Sequence, residues 1–246
     1  MDFAISIRIL HLKLLNISAY CLFTLRFTIR VLIMANTPAE IGPGEFYPVV
    51  GVGPHPKPWP TGEQFDPELL ENGDRRNVLD HYRYWKVSAI VEDLDKKRHG
   101  LQIAIENWQH DLNIGSIVRT ANAFNVSAVH IVGKRDWNRR GAMVTDRYLN
   151  VIHHPSVADF ANWCSEHNLP IIGIDNVEGS KQLESAKLPE RCVLLFGQEG
   201  AGMSEAGIAA CEVLYEIAQY GSTRSMNASA AGAIAMYHWA LQHLPR

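Results

Sequence analysis

The sequence predicts an α/β domain with a mostly parallel sheet over residues 101–246, preceded by a flexible N-terminal extension. Three observations support this fold class. From residue 101 onward, short apolar runs alternate with helical patterns, as they do where helices connect parallel strands. Glycine-rich turns separate two of these runs from the following helix. The chain has 246 residues, of which 47% are hydrophobic and 20% charged, a composition typical of a soluble globular domain.

Residues 1–33 form an apolar leader that differs from the rest of the chain. Its longest uncharged run, Leu14 to Leu25, has 12 residues, whereas a membrane-spanning helix needs about 20. We therefore expect no stable association with a membrane. The preferred interpretation is a stretch created by a misplaced start, with Met34 as the true first residue. An interfacial or targeting helix and an ordered structural element are the alternatives.

Two further segments precede the α/β domain. Residues 34–76 are rich in Pro and Gly, which predicts an extended tail or linker. Residues 77–100 are predicted to form an N-terminal helix that packs on the flank of the domain, because apolar residues recur mostly at spacings of three and four. These residues are Leu79, Tyr82, Trp85, Ala89 and Ile90.

The α/β pattern itself consists of five strands and four helices. The predicted strands are 101–106, 127–132, 170–174, 191–196 and 213–217. The predicted helices are 114–125, 156–167, 204–211 and 226–243. Ligands of such folds bind in the loops that follow the carboxyl ends of the strands, so these loops are the candidate site.

The first candidate loop leads into helix 114–125. Asn113 is a good N-cap residue, because its side-chain oxygen accepts a hydrogen bond from an unpaired helix N–H. Arg119 lies among apolar residues within two turns of that cap. It is either a surface arginine on an amphipathic helix or an arginine that faces a phosphate or substrate and is supported by Asn113.

Two more glycine-containing loops follow strands near the end of the chain. Phe196 leads into Gly197, Glu199 and Gly200, and Ser204 can cap the next helix. A glycine-rich turn after a strand is common, but a carboxylate in a ligand loop is usually hydrogen-bonded. The third loop leads from strand 213–217 into a long helix. Its cap is Ser225 or Asn227, and the helix is apolar on nearly all sides, which predicts burial in the core or in a subunit interface.

Taken together, these three segments resemble the motifs of the SpoU (TrmH-type) branch of the SPOUT RNA methyltransferases. The first family motif is N-x-G-x-x-x-R-T-A, and the chain has Asn113, Gly115, Arg119, Thr120 and Ala121. The second is F-G-x-E-G-x-G, and the chain has Phe196, Gly197, Glu199, Gly200 and Gly202. The third is an Ile followed by S-L-N-x-S, and the chain has Ile217 and then Ser225, Met226, Asn227 and Ser229.

The resemblance covers residues 101–243 and implies a specific architecture. Members of this family carry a C-terminal trefoil knot, an exception to the usual unknotted topology, and the knot forms the pocket for S-adenosyl-L-methionine. From their positions in the family motifs, Gly197, Ile217 and Met226 are expected to contact the adenosyl part of this cofactor. The family works as a homodimer, with the C-terminal helix in the interface. The chain departs from the pattern at Met226, where Leu is usual, and at Ala218, where Pro is frequent and where we expect a looser backbone.

The activity implied by the resemblance is 2′-O-methylation of a ribose in tRNA or rRNA. A guanidinium has a pKa above about 12, so Arg119 is expected to act as an electrostatic clamp on a phosphate and the emerging alkoxide rather than as a base. Asn113 would orient Arg119. Glu199, Ser225 and Asn227 would hold the ribose and the loops, and Glu199 is the second candidate proton acceptor.

Any RNA contact must come from a local basic patch, because the net charge of the chain is −3. Residues 134–147 carry five cations and two acids, and Lys134, Arg135, Arg139 and Arg140 are the expected RNA-binding residues. Trp137 among them is predicted to stack on an unpaired base. A solvated surface loop is the alternative. For the helix predicted over residues 77–100, the alternative to packing on the domain is an extension that guides RNA through His81, Arg83 and Lys86.

Composition also limits the remaining possibilities. The four cysteines form no C-x-x-C pair and the eleven histidines have no metal-ligand spacing, so we expect no metal and a cytoplasmic location. A dinucleotide-binding oxidoreductase is one rival, although the glycines read G-x-x-G-x-G rather than G-x-G-x-x-G. A non-catalytic RNA-binding protein with the same fold is the other.

Overall fold

The computed structural model describes residues 51–109, 113–198 and 200–245, and residues 51–246 form one compact unit. The predictions for the leader 1–33 and for residues 34–50 lie outside the described residues. No helix within the described part of the chain is long and apolar enough to cross a membrane.

The segment before the sheet differs from the prediction. Helix α1 spans Pro67–Asn72, a 3-10 helix spans Asp80–Tyr82, and helix α2 spans Val87–Asp95. The single helix predicted over 77–100 is therefore wrong. Tyr84 has a φ of 64° and Lys86 has extended backbone, so that a helix begins only at Val87.

Residues 51–76 are not the extended linker that their Pro and Gly content predicts. The carboxylate of Asp74 is completely buried. It accepts two hydrogen bonds from the Arg76 guanidinium, at 2.8 and 2.7 Å, and further bonds from the backbone N–H groups of Arg76 and Tyr84. These partners outweigh the cost of burial and lower the pKa of Asp74 to about 2. Because Asp74 also binds the N–H of Tyr84 and Arg76 donates to the carbonyl of Trp85, the charged pair connects the chain around residue 74 to the segment before α2.

The sheet is parallel and has seven strands in the order β3-β2-β1-β6-β4-β7-β5. The strands are β1 His99–Asn107, β2 Val126–Gly133, β3 Val151–His154, β4 Ile171–Ile174, β5 Lys181–Gln182, β6 Cys192–Phe196 and β7 Val213–Glu216. The helices between and after them are α3 Asn113–Ala123, α4 Val157–Glu166, α5 Glu205–Ala210 and α6 Ala228–His243. Short 3-10 helices span Arg139–Ala142, Thr145–Tyr148 and Leu183–Ser185.

The five predicted strands and four predicted helices of this domain are confirmed, with shifts of one or two residues at their ends. Strands β3 and β5 were not predicted. Only two of the four residues of β3 are apolar, because it ends in His153 and His154. Strand β5 has only two residues, both polar and exposed, so neither strand contains an apolar run that could predict it.

Helices cover both faces of the sheet, so the fold has three layers. On one face, α3 and α6 pack a large apolar cluster that includes Ile117, Met236 and Trp239. On the other face, α4 packs a second cluster that includes Phe160 and Cys164. Consecutive residues of β1, such as Ile103 and Ala104, enter opposite clusters, as the period of two of a strand requires.

Candidate functional site

A cavity of about 550 Å³ opens at the carboxyl ends of β4, β6 and β7. This edge is where parallel α/β sheets bind ligands. Part of the wall is apolar and is formed by Ile174, Phe196, Ile217 and Met226. Polar groups line the rest of the wall, among them Asp175, Asn176, Gln219, Arg224, Ser225 and Asn227.

The glycine-rich loop after β6 forms one side of the cavity. Gln198 and Gly202 exchange two backbone hydrogen bonds, at 3.1 and 3.0 Å, which close the loop. A Cβ atom on Gly197 would lie 2.2 Å from backbone atoms of Gly202 and Met203. Gly197 is therefore required by the close packing of the loop on itself, in addition to any contact with a ligand. Glu199 of this loop lies outside the described residues.

Two carboxylates hold the end of this loop. Asp175, directly after β4, accepts a hydrogen bond of 2.8 Å from the N–H of Met203. Glu106, completely buried near the end of β1, accepts hydrogen bonds from the backbone N–H and the hydroxyl of Ser204. Ser204 in turn caps α5 through the N–H of Gly207, as predicted. Sequence reasoning missed Asp175 and Glu106, although both are acids at the carboxyl ends of predicted strands.

The loop between β7 and α6 forms the opposite side. The N–H of Ala218 donates to Glu184 Oε1 at 3.0 Å, a bond that the Pro frequent at this position in the family is unable to make. The side-chain amides of Gln219 and Asn176 both donate to the carbonyl of Arg224. The expected loosening at Ala218 is therefore compensated by hydrogen bonds that fix the base of the loop.

Asn227 and Asn113 connect the first and third motifs. Asn227 Oδ1 accepts hydrogen bonds from the N–H groups of Ser229 and Ala230, so Asn227 rather than Ser225 caps α6. Its side-chain amide donates to Oδ1 of Asn113 at 2.8 Å. Asn113 is the first residue of α3 and is buried.

Arg119 lies apart from this cluster in the single chain. It is exposed on α3 and does not line the cavity. Within the described residues it makes no hydrogen bond or ion pair. The expected hydrogen bond between Asn113 and Arg119 is not present in the described part of the chain, and Oδ1 of Asn113 accepts from Asn227.

The basic loop after β2 is exposed at all four predicted RNA-binding positions, Lys134, Arg135, Arg139 and Arg140. Asn107 on β1 anchors it, since its buried amide donates to the carbonyls of Lys134 and Asp136 at 2.7 and 3.0 Å. The prediction that Trp137 stacks on a base is wrong. Its side chain is only 8% exposed and packs in the core beneath Arg139, whose guanidinium carbon lies 5.4 Å from the ring centroid.

Within the described residues, no three or more His, Cys, Asp or Glu side chains are grouped so that they could hold a metal ion. The fold and the cavity instead define an α/β ligand-binding protein whose site is built from three loops at one edge of a parallel sheet. The model of the SpoU rRNA Methylase family matches residues 100–237. The chain therefore belongs to that family.

Individual relatives match the same part of the chain. The uncharacterized tRNA/rRNA methyltransferase slr0955 of Synechocystis is 30% identical over 168 residues, which are 63% of this chain and 42% of that protein. The tRNA (guanosine(18)-2′-O)-methyltransferase of Thermus thermophilus is 26% identical over 160 residues, 63% of this chain and 81% of that protein. The chain thus spans less than half of the Synechocystis relative.

Solved structures share the fold. The SpoU methyltransferase AviRb of Streptomyces viridochromogenes matches with a TM-score of 0.55 and 24% identity over 60% of this chain and 61% of that chain. The A. aeolicus TrmH/SpoU tRNA modifying enzyme matches with a TM-score of 0.56 and 21% identity over 63% of this chain and 81% of that chain.

Proposed function

We propose that the protein transfers a methyl group from S-adenosyl-L-methionine to the 2′-hydroxyl of a ribose in tRNA or rRNA, in the cytoplasm. One observation carries the proposal. The second and third motifs, which α5 and β7 separate in sequence, line one cavity through Gly197, Ile217, Met226 and Asn227, and Asn113 of the first motif is hydrogen-bonded to that cavity's edge. The names of the relatives, which include tRNA and 23S rRNA 2′-O-methyltransferases, agree with this chemistry.

The cavity fits the methyl donor. Its volume of about 550 Å³ lies within the usual range for small-molecule and cofactor sites. Ile217 and Met226 offer apolar surface for an adenosyl group, and the loop at Gly197 offers backbone groups. When bound, the donor supplies a methyl group already activated on a sulfonium, so the remaining task of the protein is to position and activate a weak hydroxyl nucleophile.

The proposed domain is residues 101–246, with a C-terminal trefoil knot. Two hydrogen bonds agree with a compact arrangement of the segments that would form the knot. Asp175 is hydrogen-bonded to Met203, and Asn176 is hydrogen-bonded to the carbonyl of Arg224. The segments after β4, β6 and β7 are therefore joined directly at the cavity.

A homodimer would bring Arg119 of one protomer to the cavity of the other. The outer face of α6 exposes Ile234, Tyr237 and Leu241, which are spaced three and four residues apart and so form one apolar stripe. A second copy of the chain would cover this stripe. Because Arg119 lies outside the cavity of its own chain, we assign the catalytic arginine to the other protomer, where Arg119 of the partner subunit would reach the cavity.

In this arrangement each residue has a defined task. Arg119 holds the phosphate next to the target ribose and stabilises the developing alkoxide with its planar fork. Asn113 and Asn227 fix the relative positions of α3 and α6 at the cavity edge. Ser225 lines the cavity and would hydrogen-bond the ribose. Glu199 stays the second candidate for the proton acceptor.

Two measurements test the proposal. Thermal unfolding is followed with S-adenosyl-L-methionine, its demethylated product or NAD added, and the first two should stabilise the protein. Tritiated-methyl transfer to total tRNA and rRNA from a deletion strain, followed by site mapping, should then give a 2′-O-methylated nucleotide. Stabilisation by NAD alone would favour an oxidoreductase, and RNA binding without transfer would indicate a non-catalytic protein.

A further inference from the structure

We propose that Tyr220 is the platform on which an unpaired base next to the target ribose stacks. The inference rests on the proposed function and extends it, because it assigns recognition of the base to a residue outside the motifs. The side chain of Tyr220 is 94% exposed, more than any other exposed large hydrophobic residue of the described chain.

Tyr220 lies in a loop whose two ends line the cavity. The residues just before it, Ile217 and Gln219, line the cavity, and so do Arg224 and Ser225 after it. The intervening tip, residues 220–223, is exposed. The chain therefore leaves the cavity wall, carries the tyrosine ring into solvent and returns to the wall four residues later.

Hydrogen bonds fix the two ends of this loop, whereas its tip is exposed to solvent. Ala218 is bonded to Glu184, and the carbonyl of Arg224 accepts from both Gln219 and Asn176. Because the two ends of the loop are fixed, less conformational entropy is lost when a ligand orders the ring. Gly221 has open space around its Cβ position, so the tip is not packed against the rest of the described chain.

The chemistry of this tip fits RNA. An exposed aromatic ring stacks on any nucleobase, and such stacking contributes strongly to single-strand binding. Arg224 is exposed a few residues away and lines the cavity, so a cation for the neighbouring phosphate accompanies the ring. Trp137, the aromatic residue first expected in this role, is buried, whereas the ring of Tyr220 is exposed between residues that line the cavity.

The test compares Tyr220→Leu with Tyr220→Phe and Tyr220→Trp in the full chain. Filter binding of unfractionated tRNA, and separately of rRNA, is measured in the presence of the demethylated donor product. Loss of one stacked base corresponds to a weakening on the order of tenfold. We expect Tyr220→Leu to lose this affinity and to raise KM for RNA, the two aromatic replacements to restore it, and donor affinity to stay at the wild-type value in all three.

The outcomes separate stacking from other roles. Wild-type RNA affinity in Tyr220→Leu overturns the proposal. A weaker dimer in sedimentation experiments with Tyr220→Leu also overturns it, because the ring would then pack on a second copy of the chain. If the wild-type protein itself transfers no methyl group and binds no RNA, the proposed function fails together with the stacking role, whereas failure of stacking alone leaves the wild-type activity intact.

Discussion

Asn227 donates its side-chain amide to Oδ1 of Asn113 over 2.8 Å, although the two residues are 114 positions apart in the chain. This bond joins the start of α6 to the start of α3, and Asn227 at the same time caps α6. The two functions of Asn227 can be separated by mutation, because only one of them involves Asn113.

Asn227→Ala removes both the cap and the bond to Asn113. We expect its free energy of unfolding to fall by about 0.5–2 kcal/mol, the usual effect of losing an N-cap, and methyl transfer to fall with it. Asn113→Ala keeps the cap and should lose transfer activity with a smaller change of stability. Urea denaturation and the tritiated-methyl assay measure the two effects, and an Asn113→Ala protein with the wild-type rate would contradict the role of this bond.

The position of Arg119 predicts complementation between subunits. Arg119→Ala and Asn227→Ala should each have strongly reduced activity as homodimers. If the arginine is supplied by the partner, co-expression of the two variants gives heterodimers with one intact site, and about a quarter of the wild-type activity should return. Absence of recovery in verified heterodimers would place Arg119 in the site of its own chain.

A second substitution at this position tests the chemistry of the clamp. Arg119→Lys keeps the positive charge but loses the planar fork that binds two phosphate oxygens at once. We expect kcat to fall strongly while donor affinity, measured by calorimetry, stays the same. A wild-type rate in Arg119→Lys would show that charge alone is sufficient.

The basic loop should control the salt dependence of RNA binding. Arg139 is partly neutralised by Asp146 at 3.1 Å, whereas no ion pair involves Arg140 in the described structure. We therefore expect Arg140→Gln to weaken binding more than Arg139→Gln, with a lower slope of affinity against salt concentration. Lys96→Gln is the control, because Lys96 lies directly after α2 and its charge is paired with Glu92. Equal salt slopes for all three variants would exclude this loop as the RNA contact.

The glycine-rich loop should tolerate no side chain at Gly197. A methyl group there meets the backbone of Gly202 and Met203 at 2.2 Å, so Gly197→Ala is expected to displace the loop and to weaken donor binding at least tenfold. Gly53→Ala is the control, because the corresponding Cβ position has open space. Calorimetric titration with S-adenosyl-L-methionine measures both, and equal affinities would show that the loop adapts without cost.

Buried histidines predict a loss of stability in acid. His130 is completely buried on β2, with Nε2 at 2.7 Å from Gln102 Oε1 and Nδ1 at 2.9 Å from His154 Nε2. Burial, and after it the nearby His154 and His167, lower the pKa of His130 to about 3. Burial also lowers the pKa of His154.

The sign of the effect follows from proton uptake. An unfolded histidine binds a proton below about pH 6.5, while folded His130 stays neutral down to about pH 3. The free energy of unfolding should therefore fall as pH drops through this window, by about 1.4 kcal/mol per pH unit for one such group. In His130→Leu this contribution disappears. Urea titrations between pH 4 and 7 compare the slopes, and parallel curves for the two proteins would contradict the prediction.

The sequence alone was sufficient for the elements whose pattern is local. Periodicity located the strands and helices from β1 to α6 that have long apolar runs. The spacing indicated Ser204 as a cap and limited the cap of α6 to Ser225 or Asn227, because a cap acts on N–H groups two or three residues away; the structure selects Asn227. The same local rules were insufficient around Tyr84. There the left-handed backbone is held by the buried carboxylate of Asp74, ten positions away.

Tertiary structure decided which distant residues meet. Glu106 contacts Ser204 across 98 positions and Asn113 contacts Asn227 across 114, because the strand order brings the ends of β1, β4, β6 and β7 to one edge. It also buried Trp137 and left Arg119 and Tyr220 exposed. The physical reason is that burial depends on the surface that remains after all elements have packed, and a pattern within one segment carries no information about the neighbours that cover it.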